Sequence, residues 1–422
     1  MAFVKNEELK RISSKINLEQ FDVSVFAKDR LREMFRAGKL PTADVMVDEI
    51  VLRAIKEGAS DIHFEPTEHE LRVRLGYEGV MKKLVSLPRD ISENLANVLK
   101  TKSGLNVFEK KKAQEGRFTI NISGFVFDLR ICTLPAITGE RIVLRLLTKA
   151  SHIAKLEELG FSENSYDKLI KLLNRPTGLL LITGPSSSGK TTTAYAALNK
   201  LNTPERNIFT VENLIEFKLD FASQVQPAAD KSFSTVDALH SVLRQSPNVI
   251  LLGDIRDAET GNLAAEAGFT GALVISTLLS SDAVGTIPRL LNIGVSPYWL
   301  ASSLDGIAHQ QLVRKICESC REEYSATPDE ITRLGTGTWG QNIYFRGKGC
   351  EACNGTGYRE RTAIHEILTI NDQLRDLIYE QAPSLRLKEA ALNSGFEDIR
   401  TDARNKVIEG ITTIAEFVRS LG

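Results

Sequence analysis

The run Gly184, Pro185, Ser186, Ser187, Ser188, Gly189, Lys190, Thr191 fits G-x-x-x-x-G-K-[ST]. Backbone N–H groups of such a loop point inward at phosphate oxygens, and the helix after it adds the positive end of its dipole. Lys190 would bridge the β- and γ-phosphates of a bound ATP and the Thr191 hydroxyl would hold Mg²⁺, with Thr192 closing the loop. A glycine-serine turn with a chance lysine explains the same letters, but not the strand before them and the helix after them.

Phosphoryl transfer to water also needs a carboxylate to orient that water and to position the metal. Glu212 directly follows the apolar run Asn207–Val211, and Asp254 lies just past Val249–Leu252. Strand ends of this kind are where α/β folds deliver their ligands. A merely solvated acid is the competing reading of each. A second chemistry is written in two C-x-x-C pairs, Cys317 with Cys320 and Cys350 with Cys353. Four thiolates on two such knuckles make the closed tetrahedral set of a structural Zn²⁺ site, and redox-active pairs are the alternative. Cys132 stands alone in an alternating segment and reads as a buried apolar residue. His309, in Ala308-His309-Gln310-Gln311, reads as a polar helix residue with no partner nearby.

The elements that must position these groups are legible in the spacing. Leu179–Thr183 is an apolar run, and Ala194, Ala197, Leu198 and Leu201 recur at helical spacing beyond the loop. Between Pro176 and about Ile316, the runs Asn207–Val211, Val249–Leu252 and Ala272–Thr277 alternate with helical patterns, which predicts a doubly wound parallel sheet. Upstream, Val47, Ile50, Val51, Ala54 and Ile55 share a helical face that Gly58 ends. Alternating segments at Leu71–Leu75, Phe118–Ile122, Val126–Ile131 and Ile142–Leu147 then predict an α+β domain with a mostly antiparallel sheet. Helical periodicity returns over Thr362–Gly422. The expected organisation is an arm over 1–40, an N-terminal domain over 41–155, a P-loop domain over 156–316, a tetracysteine insert over 317–361 and a helical C-terminal domain over 362–422.

Composition narrows the setting. With 53 basic and 54 acidic residues among 422, the net charge of -1 offers no global attraction for nucleic acid. No window approaches about 18 consecutive apolar residues, and the charged start MAFVKNEELKRISSK lacks the apolar core of a signal peptide. Paired cysteines fit a reducing compartment with a metal site better than a disulfide framework, so a cytoplasmic protein is expected.

Beyond the loop, three further stretches carry a resemblance: Ala59–Pro66 (ASDIHFEP), Gln114–Arg117 (QEGR), and Leu134-Pro135 followed by Gly139–Arg145 (GERIVLR). From about residue 41 to its end the chain resembles the type II secretion and type IV pilus assembly ATPases. The resemblance implies a RecA-like core, a PAS-like N-terminal domain and a zinc-knuckle insert. It further implies a hexameric ring, of one chain or mixed with a paralogue, that hydrolyses ATP and works on an inner-membrane platform protein. It places Glu212 in an acidic box that orients the attacking water, and Asp254 in the Walker B segment. Arg130, Arg141 and Arg145 match arginines of the N-terminal domain that reach toward nucleotide when two domains close. The four cysteines favour the assembly branch over retraction motors, and the arm before Pro41 is too short for the extra docking domain of many assembly ATPases.

Several positions depart from the family pattern. Asn213 and Leu214 replace an aspartate and a proline, Asp254 replaces glutamate in Gly253-Asp254-Ile255-Arg256-Asp257, and Leu279 occupies a histidine position. Ser187 replaces a common glycine, and Gly76 stands where a second arginine accompanies Arg74. Shortening Glu to Asp withdraws the carboxylate by roughly 1.5 Å, enough to slow a reaction that depends on positioning. Nucleotide binding is therefore expected to survive better than turnover. The alternatives are a catalytically weak partner subunit of such a motor and a conjugative DNA-transfer ATPase; near-zero charge counts against the second.

Overall fold

The computed structural model describes residues 43–77, 79–122, 125–147, 153–228, 232–335, 343–353 and 355–422, so the arm expected over 1–40 lies outside the described residues. The chain divides into two compact units, one ending at Ser151 and one running from His152 to Gly422.

In the first unit, α1 (Ala43–Glu57) buries Val47, Ile50, Val51, Ala54 and Ile55, the spacing of an amphipathic helix. Gly58 at φ 70° ends it, a conformation in which a Cβ would be strained. Strands β1 (Asp61–Pro66), β2 (Glu70–Tyr77), β3 (Val80–Pro88), β4 (Gln114–Ile122), β5 (Phe125–Ala136) and β6 (Gly139–Leu147) form one antiparallel sheet in the order β3-β2-β1-β6-β5-β4. Helix α2 (Ser92–Lys102) packs on α1 and β6. Alternation sends Ile62, Phe64, Val73, Leu75, Leu129, Ile131, Ile142 and Leu144 into a common core with the helices. The same alternation leaves Asp61, His63, Glu65, Arg74, Arg130, Arg141 and Arg145 on the opposite face, with Asp61 paired to Arg145 and Arg145 to Arg130 in the register. Cys132 lies on β5 as a half-buried thiol rather than a buried one. It sits on the polar face, where its Sγ donates to Glu115 Oε1 at 3.2 Å.

The second unit is built on a seven-stranded sheet in the order β15-β12-β7-β11-β10-β8-β9. Its strands are β7 (Gly178–Thr183), β8 (Ile208–Val211), β9 (Ser223–Val225), β10 (Val249–Asp254), β11 (Leu273–Leu278), β12 (Leu304–Ile316) and β15 (Tyr358–Thr369). A separate hairpin pairs β13 (Arg321–Ser325) with β14 (Ile343–Gly347). All neighbours in the large sheet run parallel except β12 and β15. Helices α3 (Glu163–Leu173), α4 (Lys190–Leu201), α5 (Thr235–Leu243), α6 (Ala258–Thr270), α7 (Ala283–Asn292), α8 (Pro297–Ser303), α9 (Pro328–Leu334), α10 (Asp372–Tyr379), α11 (Ser384–Asn393), α12 (Ile399–Ile408) and α13 (Ile414–Leu421) complete it. Every residue of β7 is buried, because both faces of the sheet are covered. Leu179 and Leu181 enter one apolar cluster, while Leu180 and Ile182 enter another. Continuous apolar runs are the expected signature of such strands.

Two segments fold differently from the sequence-based expectation. His309 lies on β12, not on a helix, between β7 and β15, and it is 1% exposed. Its neighbours in the sheet satisfy the backbone there, so polar side chains at this point do not stop the strand. Residues 362–369, expected to begin a helical domain, form most of β15 and pair with β12 from Gly306↔Thr369 to Val313↔Thr362. The helical residues Leu374, Leu377 and Ile378 then join the main apolar cluster instead of a separate core. No helix among the described residues is long and apolar enough to cross a membrane.

Candidate functional site

The phosphate loop leaves β7 at Gly184, where φ is 150°, and enters α4 at Gly189, where φ is 90°. Gly189 is the N-cap of α4 and offers no capping side chain, so first-turn N–H groups are left for a ligand. Ser187 sits at φ 62°, a left-handed conformation that suits glycine and strains a serine. The Lys190 ammonium turns back onto the carbonyls of Gly184 and Pro185, at 3.1 and 2.9 Å. Burial pushes its pKa down, and the Asp254 carboxylate partly restores it.

Because β7, β11, β10 and β8 are parallel, their C-terminal ends share one edge of the sheet, and the loop and both acids sit along it. Asp254 ends β10, where its Oδ1 accepts the Thr277 hydroxyl of β11 at 2.5 Å and Arg256 stands 3.6 Å from its other oxygen. Glu212, one residue past β8, is 6% exposed and accepts the Tyr195 hydroxyl of α4 at 2.6 Å. Burial pushes its pKa up, against the hydrogen bonds from Tyr195 and Gln224. The Thr191 hydroxyl instead faces Glu216, whose Oε1 accepts it at 3.4 Å. Asp254 is thus the carboxylate felt by Lys190, Glu216 the one beside Thr191, and Glu212 lies beneath α4. Sequence reasoning missed Glu216 and Tyr195; the helical spacing that places Thr191 and Tyr195 on α4 at i and i+4 was available to find the second. Leu279, just past β11 on the same edge, is 40% exposed and brings no polar group.

In the first unit the three arginines are held by acids of the same sheet face. Arg130 pairs with Glu115 at 2.7 Å, Arg145 with Asp61 at 2.8 Å, and Arg141 with Glu65 at 2.6 Å. Arg74 shares Glu65, also at 2.6 Å. Burial opposes the charge of Glu65, but the two guanidiniums outweigh it and hold the carboxyl below its usual range.

The four cysteines converge. Cys317 and Cys320 follow β12, Cys350 and Cys353 precede β15, and their Sγ atoms all lie within 4.8 Å of one another. Adjacent sulfurs stand 3.7, 3.8 and 3.9 Å apart. A tetrahedron with Zn–S bonds of about 2.3 Å has edges of about 3.8 Å, whereas a disulfide needs about 2.05 Å. The donor set and spacing therefore fit zinc. Burial raises the Cys353 thiol, but N–H groups of Cys350 and Gly357, at 3.1 and 3.2 Å from its sulfur, outweigh that and bring it down to about 6.

A glycine-rich loop between a buried parallel strand and a helix, with a lysine folded onto the loop and acids on the same sheet edge, defines a P-loop nucleotide-binding protein of the α/β class. The chain belongs to the type II/IV secretion system protein family, whose model matches residues 37–419. It is 40% identical over 374 residues to type II secretion system protein E of Pseudomonas aeruginosa, covering 89% of this chain and 74% of that protein. It is 38% identical over 379 residues to the type IV pilus assembly ATPase PilB of Thermus thermophilus, again over 89% of this chain but only 42% of that protein. Among solved structures, the fold is shared with the ATPase DotB of Legionella pneumophila, with a TM-score of 0.63, 19% identity, and coverage of 88% of this chain and 94% of that one. The pilus retraction motor PilT with bound ADP also shares it, with a TM-score of 0.58, 24% identity, and coverage of 88% and 95%.

Proposed function

We propose that this chain is an ATP-hydrolysing motor subunit that powers assembly of a type IV pilus or a type II secretion pseudopilus. The observation that carries the reading is the phosphate loop itself, which runs from Gly184 at the end of β7 to Lys190 at the start of α4 and opens on the same sheet edge where β10 ends in Asp254. Residues Gly184 to Thr192 hold the triphosphate, and Lys190 leaves the carbonyls of Gly184 and Pro185 for its β- and γ-oxygens. Thr191 would be the chain's Mg²⁺ ligand, with the Glu216 carboxylate beside its hydroxyl. Bound Mg²⁺ supplies charge neutralisation on the phosphates. Glu212 orients the attacking water, and its raised pKa suits a group that must share a proton with that water.

In this reading 41–155 is the PAS-like N-terminal domain and 156–316 the RecA-like core, with 317–361 a structural zinc insert and 362–422 a C-terminal portion. Arg130, Arg141 and Arg145 exchange their present carboxylates for nucleotide phosphates as domains of neighbouring subunits close in a hexameric ring. The ring works in the cytoplasm against an inner-membrane platform protein, and no nucleic acid is required.

A second reading, a catalytically weak partner subunit in a mixed ring, is favoured by Asp254 in a glutamate position and by Leu279 in place of an imidazole. Steady-state ATP hydrolysis by the purified oligomer separates the two. Robust turnover that Lys190→Ala abolishes supports the motor; nucleotide binding without turnover supports the partner subunit.

A further inference from the structure

Gln310 lies on β12 beside the phosphate loop and is 1% exposed. Its side-chain Nε2 donates to the carbonyl of Ser188 at 2.8 Å. The loop is pressed onto this one residue at both glycines. A Cβ on Gly184 would stand 2.2 Å from the Gln310 carbonyl oxygen, and one on Gly189 would stand 3.1 Å from Gln310 Nε2. One position earlier, His309 pairs with Thr183 in the register, and the Thr183 hydroxyl hydrogen-bonds its Nδ1 at 3.1 Å. β12 therefore grips the loop where it leaves β7 and again where it enters α4.

The grip has a stereochemical consequence. In a trans peptide the C=O and the following N–H point in opposite directions. Holding the Ser188 carbonyl toward β12 turns the Gly189 N–H away from β12, so that it is left to a ligand at the start of α4. The left-handed Ser187 just before it persists only where its surroundings over-determine it. Gln310 Oε1 and Ser188 Oγ are buried without a partner among the described residues, so the amide is held here by a single polar contact and by its packing under the glycines.

We propose that Gln310 is a positioning residue for the nucleotide: its side-chain amide seats the phosphate loop by fixing the Ser188–Gly189 peptide with its N–H outward. The inference rests on the reading that the loop binds a nucleoside triphosphate. Gln310 itself touches no phosphate.

The test uses the full-length oligomer and three variants. Gln310→Met keeps the length of the side chain and removes the amide. Gln310→Glu keeps the shape and places an acceptor against the Ser188 carbonyl. Gln311→Met is the control, since the neighbouring Gln311 donates to the Ser420 carbonyl at 3.0 Å instead of to the loop. Affinity for ADP with a fluorescent ribose label is measured beside kcat and KM for ATP. Loss of one buried hydrogen bond predicts affinity weakened roughly tenfold in Gln310→Met, at least as much in Gln310→Glu, with KM rising in parallel and kcat within about twofold of the parent. Gln311→Met should bind as the parent does. Parental affinity in both Gln310 variants overturns the proposal, as does an equal loss in Gln311→Met, which would report general damage to β12. Lys190→Ala measured alongside isolates the underlying reading, which fails if that variant still binds nucleotide with parental affinity.

Discussion

Replacing Glu366 by Gln should destabilise the protein most at acid pH, and the gap should close as the pH rises. Glu366 lies on β15 and is 3% exposed. One of its oxygens accepts the N–H of Ala283, the first residue of α7, at 2.5 Å, and the other accepts that of Ile399, the first of α12, at 2.8 Å. Burial pushes its pKa from an ordinary 4.5 to about 7; the two N–H groups resist, and the N-cap carboxylates of Asp282 and Asp398 add to the rise. A raised carboxyl contributes stability that is fully present below 4.5 and is lost as the pH climbs through 7. The 2.5-unit difference amounts to about 3 kcal/mol, most of it falling between pH 5 and pH 8. His309, across the register from Glu366, has the opposite sign. Burial pushes it down from 6.5 to about 4, so its contribution is complete above 6.5 and is lost as the pH falls toward 4. In the parent the two slopes oppose each other between pH 4.5 and 6.5, which is why the comparison must be variant against parent. Urea unfolding of Glu366→Gln and parent at pH 5, 6, 7 and 8 reads the difference directly. A gap that is flat across the series, or that widens with pH, refutes the reasoning, because it would mean that the two helix ends hold the carboxylate ionised.

Two further outcomes are expected. The protein purified without chelator should carry one zinc per chain by elemental analysis, and Cys353→Ser should lose it together with hydrogen-exchange protection at the adjoining ends of β12 and β15; full protection without metal would exclude a structural role. Ser187→Gly removes roughly 1–2 kcal/mol of left-handed strain but adds about 0.5–1 kcal/mol of unfolded-chain entropy, so a net gain of roughly 0–1.5 kcal/mol is expected, read as a thermal midpoint equal to or above that of the parent. A clear fall would instead assign the serine side chain a contact that outweighs its strain.

The sheet around the loop was legible because its strands are buried on both faces. Leu179–Thr183, Val249–Leu252 and Ala272–Thr277 have no polar face to mislead, and the loop motif itself fixes strand, turn and helix in order. Legibility failed where side-chain chemistry and backbone partners point in different directions. Along β12, His309, Gln310 and Gln311 interrupt the apolar pattern, and only pairing with β7 and β15, far away in sequence, makes the segment a strand. β1 was overlooked for a related reason: Asp61, His63 and Glu65 alternate with Ile62 and Phe64, and the acids need arginines from β2 and β6 to be at home on a sheet. Glu216 follows no spacing rule at all, since it reaches Thr191 from a loop whose path is set by tertiary packing.

The same strand explains where the cysteines are. β12 and β15 are antiparallel neighbours, yet the chain between them is no tight turn. Cys317 directly follows β12, Cys353 comes shortly before β15, and the β13–β14 hairpin with α9 lies between. Bringing together the ends of a connection of about 40 residues costs roughly 3 kcal/mol of chain entropy beyond a constant. Without a clasp that cost would fall on the last ladder pairs, Arg314↔Arg361 and Ile316↔Tyr358, where the register is already irregular and two arginines face each other. Four thiolates around one bound ion would close the connection at the point where the strands begin to pair. From there, six residues back along β12, Ile316 leads to Gln310 under the phosphate loop. A clasp that steadies one end of this strand therefore steadies the seat of the loop at its middle, which gives the tetracysteine insert a physical reason to belong to a nucleotide-driven machine although it holds no catalytic group.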